Sequence, residues 1–167
     1  MKYIFGLGLP RTGTNSLGSA LHLLGINGEC KCILNDFHNK REKDDNSKEY
    51  KYIIYNDAYQ ELDVLLSDDK IHNNIYILTI RDNDDWKKSI SNFDKDIVNE
   101  LLEINMDDYI MKIKNIFEEK GCIENLLIIN IFKDDDILLW NNLKNYTGLV
   151  ISDDIMEEEF PKINLNK

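Results

Sequence analysis

The sequence predicts an α/β fold: a doubly wound parallel sheet of about five strands, held in three layers between helices. Three observations predict it. Short continuous apolar runs, rather than runs of alternating polarity, mark strands buried on both faces, as in a parallel sheet. These runs alternate with stretches of helical period, and right-handed crossovers then cover both faces of the sheet with helices. The first run, finally, ends in the glycine-rich turn of "FGLGLPRTGTNSLGSALHLLG", residues 5–25, which leads directly into a helical pattern.

Taken in order, residues 2–7 form an apolar run ending in glycines, hence the first strand. Residues 14–24 place Leu17, Leu21 and Leu24 on one helical face, and Gly25 is a natural stop. Further strands are expected at 29–34, 50–55, 75–80 and 126–131. Helices are expected at 57–66, 84–93, 97–102, 107–120 before Gly121, and 134–146 before Gly148. Strand order 2-3-1-4-5 follows, with the glycine-loop strand central and a ligand lying across the strand C-termini. Residues 35–48, "NDFHNKREKDDNSK", are charged and aperiodic; they read either as a mobile loop over a ligand or as a plain surface loop. The acidic clusters 134–136 and 157–159 read as helix N-terminal charge and solvated tail, because neither has the spacing of a calcium loop.

The 167 residues, 43% of them hydrophobic, suit one domain spanning 1–167. A net charge of −11 argues against nucleic acid or an anionic membrane as partner, so an anionic ligand must meet a local positive patch. With no leader-like run at the start and no stretch of membrane-spanning length, the expectation is a cytoplasmic protein. Cys30, Cys32 and Cys122 are too few and too sparse for a disulfide framework or a zinc tetrad, so no metal is expected. The chain contains only three arginines, and two of them, Arg11 and Arg81, stand at the ends of strand-like runs. That is where a planar, bidentate anion ligand belongs.

Gly8 and Gly13, five apart after a strand and before a helix, form the context in which backbone N–H groups and the helix dipole converge on an anion. The fold is accordingly expected to be of the P-loop nucleoside-phosphate-hydrolase type. A nucleotide kinase follows the second glycine with Lys and then Ser or Thr, which contact the triphosphate and its magnesium. Here Thr14 and Asn15 follow, and the cation stands in front of the glycine, at Arg11. Such a loop suits a terminal anionic group better than a magnesium triphosphate.

"PRTGTNSL", residues 10–17, resembles the 5′-phosphosulfate loop of sulfotransferases that use 3′-phosphoadenosine-5′-phosphosulfate (PAPS). The second signature of that family is a strand ending in Arg, with Asp four and Ser eight residues on; "ILTIRDNDDWKKSISNF" supplies Arg81, Asp85 and Ser89. "YNDAYQELDVLL" is similar to an acceptor-side segment of one subgroup, and "LLIINIFKDD" with a late "FPKIN" is a weaker C-terminal echo. The resemblance runs intermittently over residues 4–164. It implies a PAPS-dependent sulfotransferase, with the 5′-phosphosulfate over Arg11, Thr12, Gly13, Thr14 and Asn15, and the 3′-phosphate on Arg81 and Ser89. Arg11 would stabilise charge on the leaving phosphate, and 3′-phosphoadenosine-5′-phosphate (PAP) would be the product.

The resemblance further implies a base at Asp57, which removes the proton of an acceptor hydroxyl or amine on a small molecule or glycan. As a residue, Asp57 reads equally as the cap of the following helix, a setting that lowers a carboxylate's pKa. His38 in the charged loop is the rival base, His22 and His72 are weaker candidates, and Trp86 and Trp140 read as core or interface aromatics. Asn15 replaces a frequent Thr or Ser, and Asn83 a frequent Pro. The chain is also shorter than most such domains, so the acceptor site is expected to be short, open or completed by a second subunit of a homo-oligomer. A P-loop small-molecule or nucleotide kinase, and a non-catalytic nucleotide-binding module, are the alternative readings.

Overall fold

A computed structural model describes residues 2–31, 50–55, 58–92, 95–149 and 151–163. Among them, five strands form one parallel sheet: β1 (Lys2–Gly6), β2 (Asn27–Lys31), β3 (Tyr50–Tyr55), β4 (Ile75–Thr79) and β5 (Leu126–Ile129). Their order is β2-β3-β1-β4-β5, as the sequence predicts. From β1 the chain crosses to the edge strand β2, comes back to β3 beside β1, and then crosses to β4 on the other side. The C-terminal ends of β1 and β4 therefore flank a topological switch point, the place where open α/β sheets leave a crevice.

The parallel register sets Ile4 beside both Tyr52 and Ile75, and Phe5 beside both Ile53 and Tyr76. Because side chains alternate along a strand, successive residues serve opposite layers. Phe5, Tyr76 and Leu126 pack on one face with Leu62 and Leu65 of α2 (Ala58–Leu65), Trp86 of α4 (Asn83–Ile90), and Tyr109, Ile113 and Phe117 of α6 (Met106–Glu119). Ile4, Ile75, Ile77, Leu127 and Ile129 pack on the other with Leu17 and Leu21 of α1 (Thr14–Leu23) and Leu139, Trp140 and Leu143 of α7 (Asp136–Thr147). The interior strand β4 is buried at every position, which is why its sequence is a continuous apolar run without alternation.

Short α3 (Asp68–Ile71), α5 (Lys95–Glu103), α8 (Asp153–Met156) and a 3₁₀ turn at Ile123–Asn125 complete the described elements. Boundaries shift from expectation where a cap or turn decides them. The helix expected from Asp84 begins one residue earlier. Neither Asp84 nor Asp85 caps it; Asp82 takes that position with extended backbone, and its carbonyl accepts the first helical bond from Trp86 N at 2.8 Å. Within the 134–136 cluster, Asp135 is the cap of α7 and accepts from Ile137 N and Leu138 N at 2.9 and 3.4 Å. The strand expected at 29–34 runs over Asn27–Lys31 where it is described; the rest of that stretch and the charged 35–48 segment lie outside the described residues. Among the described residues no helix is long and apolar enough to cross a membrane.

Candidate functional site

The loop between β1 and α1 occupies the switch point. At its base, Leu7 N continues the ladder to Ile77 O at 2.9 Å, and the Leu7 carbonyl accepts the Tyr109 hydroxyl at 2.9 Å. Burial holds that phenol's pKa above its ordinary value. At the crest, Arg11 takes a left-handed backbone (φ 69°), and it is the non-glycine residue among those described that does so. Gly13 follows with φ 100° as the N-cap of α1, a conformation glycine adopts without penalty. Having no side chain, Gly13 makes no capping bond, and no acidic residue stands in the first turn. The positive end of α1 therefore faces the loop without a carboxylate of its own beside it.

Three fully or almost fully buried hydroxyls shape this loop from beneath: Thr12, Thr14 and Thr79. Thr12 Oγ1 donates to the Leu9 carbonyl at 2.7 Å, which spends its proton, so the Thr79 hydroxyl is the donor in their 2.9 Å contact. Thr12 N also reaches Leu9 O, at 3.2 Å. Thr12 thus turns its polar atoms into the loop itself. A Cβ on Gly8 would collide with Thr79 Oγ1 and press on Thr12 and Thr14, so the first glycine of the motif exists for this close approach. The second glycine lies against the segment after β5: a Cβ on Gly13 would stand 3.0 Å from Ile131 Cδ1 and 3.5 Å from Phe132 Cε2.

α4 grips the loop at two points. Trp86, fully buried, donates its indole N–H to the Pro10 carbonyl at 2.7 Å. One turn on, Ser89 Oγ accepts from Arg11 Nε at 3.1 Å. Arg81, between β4 and α4, sends Nη1 to the Arg11 carbonyl at 3.5 Å and lays its guanidinium over the Phe132 ring, 4.4 Å from the centroid. The structure thus brings Arg11, Arg81 and Ser89 together around one crest, with Thr12, Gly13, Thr14 and Asn15 forming the loop and first turn beneath. Two guanidiniums, one hydroxyl and the start of α1 make a donor-rich site, the chemistry of an anion receptor.

Asp57 and His38 lie outside the described residues, as does Cys32. Cys122 is buried with a free thiol, away from this crest. His22 and His72 are exposed, and no group of three or more His, Cys, Asp or Glu able to hold a metal ion occurs among the described residues. Trp140 is a core residue, its indole bonded to Glu158 O at 2.9 Å and packed on Phe160. Trp86 is both core and loop anchor. The signal for it was present in the sequence, since Trp86 and Ser89 are three apart and share one face of the helix. Thr79 and Phe132 carried no such local signal; they reach the loop through the neighbouring strands β4 and β5. No protein-family model matches the chain, and a search among curated proteins finds no match.

Proposed function

We propose that the chain is a PAPS-dependent sulfotransferase of the P-loop type, acting on a hydroxyl or amine of a small molecule or glycan. The observation that carries the reading is the meeting of Arg11, Arg81 and Ser89 at the switch point, from two motifs 70 residues or more apart. Each motif alone is a short match. That both present cationic or hydroxyl donors to one crest is what a ligand with two separated anionic groups requires. The cradle also fits such a ligand: Gly8 lets the loop close on Thr79, and the start of α1 carries no acidic side chain to compete with a phosphate.

PAPS supplies an activated sulfuryl group on its 5′-phosphate. The chain's own residues do the rest. Arg11, held by Ser89, offers a fixed cation to the charge that grows on the leaving phosphate, while the Gly13–Thr14–Asn15 backbone offers the helix start. Arg81 meets the 3′-phosphate, which distinguishes this donor from adenosine diphosphate. Thr12 shapes the loop from within. Asp57, next to the first residue of α2, is the proposed base, and cytoplasmic residence belongs to the same proposal.

Calorimetric titration with PAP and with ADP, each with and without EDTA, tests the reading. Charge-assisted hydrogen bonds to phosphate contribute about 1.5–3 kcal/mol, so PAP is expected to bind roughly ten- to hundredfold better than ADP, independently of EDTA. Arg81→Ala should remove most of that preference and leave ADP affinity nearly unchanged. Equal affinity for the two nucleotides, or binding of Mg·ATP in preference to both, would end the proposal.

A further inference from the structure

We propose that Phe132 is the positioning residue for Arg81, setting the direction in which that guanidinium meets an anion. The inference rests on reading the crest as an anion site, but the contact that carries it lies elsewhere, in the segment after β5. The turn that carries Phe132 is tightly bonded. The Phe132 N–H donates to Asn130 Oδ1 at 3.2 Å, and Asn130 N donates to Asp134 Oδ2 at 2.8 Å. The Asn130 carbonyl accepts Lys133 N and Asp134 N at 3.1 and 2.8 Å. The turn is therefore closed on itself, and fully buried Ile131 anchors it to the core.

From that fixed turn the ring reaches two parts of the site. Its edge lies by Gly13, where an added Cβ would sit 3.5 Å from Cε2, and the Arg81 guanidinium lies over its face at 4.4 Å. Guanidinium is planar and weakly hydrated, and it stacks on aromatic faces while its edge N–H groups remain available as donors. In this stack Nη1 points to the Arg11 carbonyl, toward the crest. The ring thereby favours this direction for Arg81, through a side chain that donates no hydrogen bond to an anion. Lys133 fastens the same turn to the residue after Arg81 through its 3.5 Å pair with Asp82, an exposed contact that adds little by itself.

The experiment reads Arg81 directly and through binding. With three arginines in the chain, the Nε–H signals of isotope-labelled protein are few, and Arg81→Lys assigns the one in question. In the wild type this signal should show the ring-current displacement of a stacked guanidinium and the relaxation of an ordered group. Phe132→Leu and Phe132→Met should each abolish the displacement and raise the mobility, whereas Phe132→Tyr should preserve both. In titrations, the two non-aromatic variants should lower the PAP-over-ADP preference about two- to fivefold, the range expected for a cation–π contact. Added to Arg81→Ala, they should lower it no further, because the effect passes through Arg81. An Arg81 signal unchanged by loss of the ring, or an equal loss of preference with and without Arg81, overturns the inference. A wild type indifferent to PAP and ADP overturns the proposed function instead, and the Arg81 signal then decides the role of Phe132 alone.

Discussion

The guanidinium of Arg11 and the hydroxyl of Ser89, 78 residues apart in the chain, are joined by a 3.1 Å hydrogen bond from Nε to Oγ. The bond crosses from the crest of the β1–α1 loop to the second turn of α4. It holds the cation of one motif on the hydroxyl of the other, so the two motifs work as one surface. Arg11 itself stands on a left-handed backbone that non-glycine residues adopt only when their surroundings impose it.

If Arg11 acts on charge that develops during transfer, its removal must cost more in rate than in binding. Arg11→Ala is expected to lower kcat about a hundredfold or more and to weaken PAP binding by less than about tenfold. Single-turnover kinetics beside PAP titration give both numbers. Losses of equal size would make Arg11 an anchor for the ground state.

The Trp86 indole is the donor to a carbonyl at the crest, and it is buried. Trp86→Phe keeps most of the ring volume but leaves the Pro10 carbonyl without that donor, a loss of about 1–3 kcal/mol of stability. Chemical denaturation should show it as a lowered midpoint at unchanged slope. PAP affinity should fall as well, since the same contact fixes the backbone before Arg11. Full stability in Trp86→Phe would show that the bond contributes nothing to the loop.

Gly8 is a steric requirement with an identifiable neighbour. Gly8→Ala drives a methyl group into Thr79 Oγ1 within a fully buried cluster, and overpacking of this kind costs about 1–3 kcal/mol or more. Gly8→Ala combined with Thr79→Ala should recover part of that loss, because the nearest of the colliding atoms is gone. Thermal melts of the single and double variants check this. A double variant no more stable than Gly8→Ala alone would place the clash elsewhere.

Tyr109 sets an alkaline limit. Burial raises its pKa above the ordinary value of about 10, so the folded protein keeps a proton that the unfolded chain releases near that pH. The unfolded state then binds fewer protons, and stability falls as pH rises through 10, by up to about 1.4 kcal/mol per unit from this group. Buried Tyr76 acts in the same direction. Tyr109→Phe should flatten the decline between pH 10 and 11.5 and cost about 1 kcal/mol at neutral pH, where the Leu7 carbonyl loses its donor. Denaturation midpoints across that range decide it; an unchanged slope would show that Tyr109 titrates normally.

Local chemistry made the sheet and the loop legible in the sequence. β4 reads as a strand because both its faces are covered, and α1 is placed by the glycine at its start and Leu17 and Leu21 on its face. These are properties of residues within one turn or one strand of each other, and so periodicity and turn geometry suffice to find them. The strand order followed from connection rules, Arg11 and Arg81 could be singled out because each stands at the end of a strand-like run, and Ser89 through its spacing from Arg81 in the resemblance to the sulfotransferase signature. Only the tertiary structure decided what those residues touch. The cap of α4 fell on Asp82, and Thr79 and Phe132 became parts of the loop's surroundings, through contacts that no local pattern encodes. Their partners lie on strands or helices that become neighbours when β4 pairs with β1 and β5 pairs with β4. A side chain's reach across that junction depends on register and packing, which exist only once the sheet has formed.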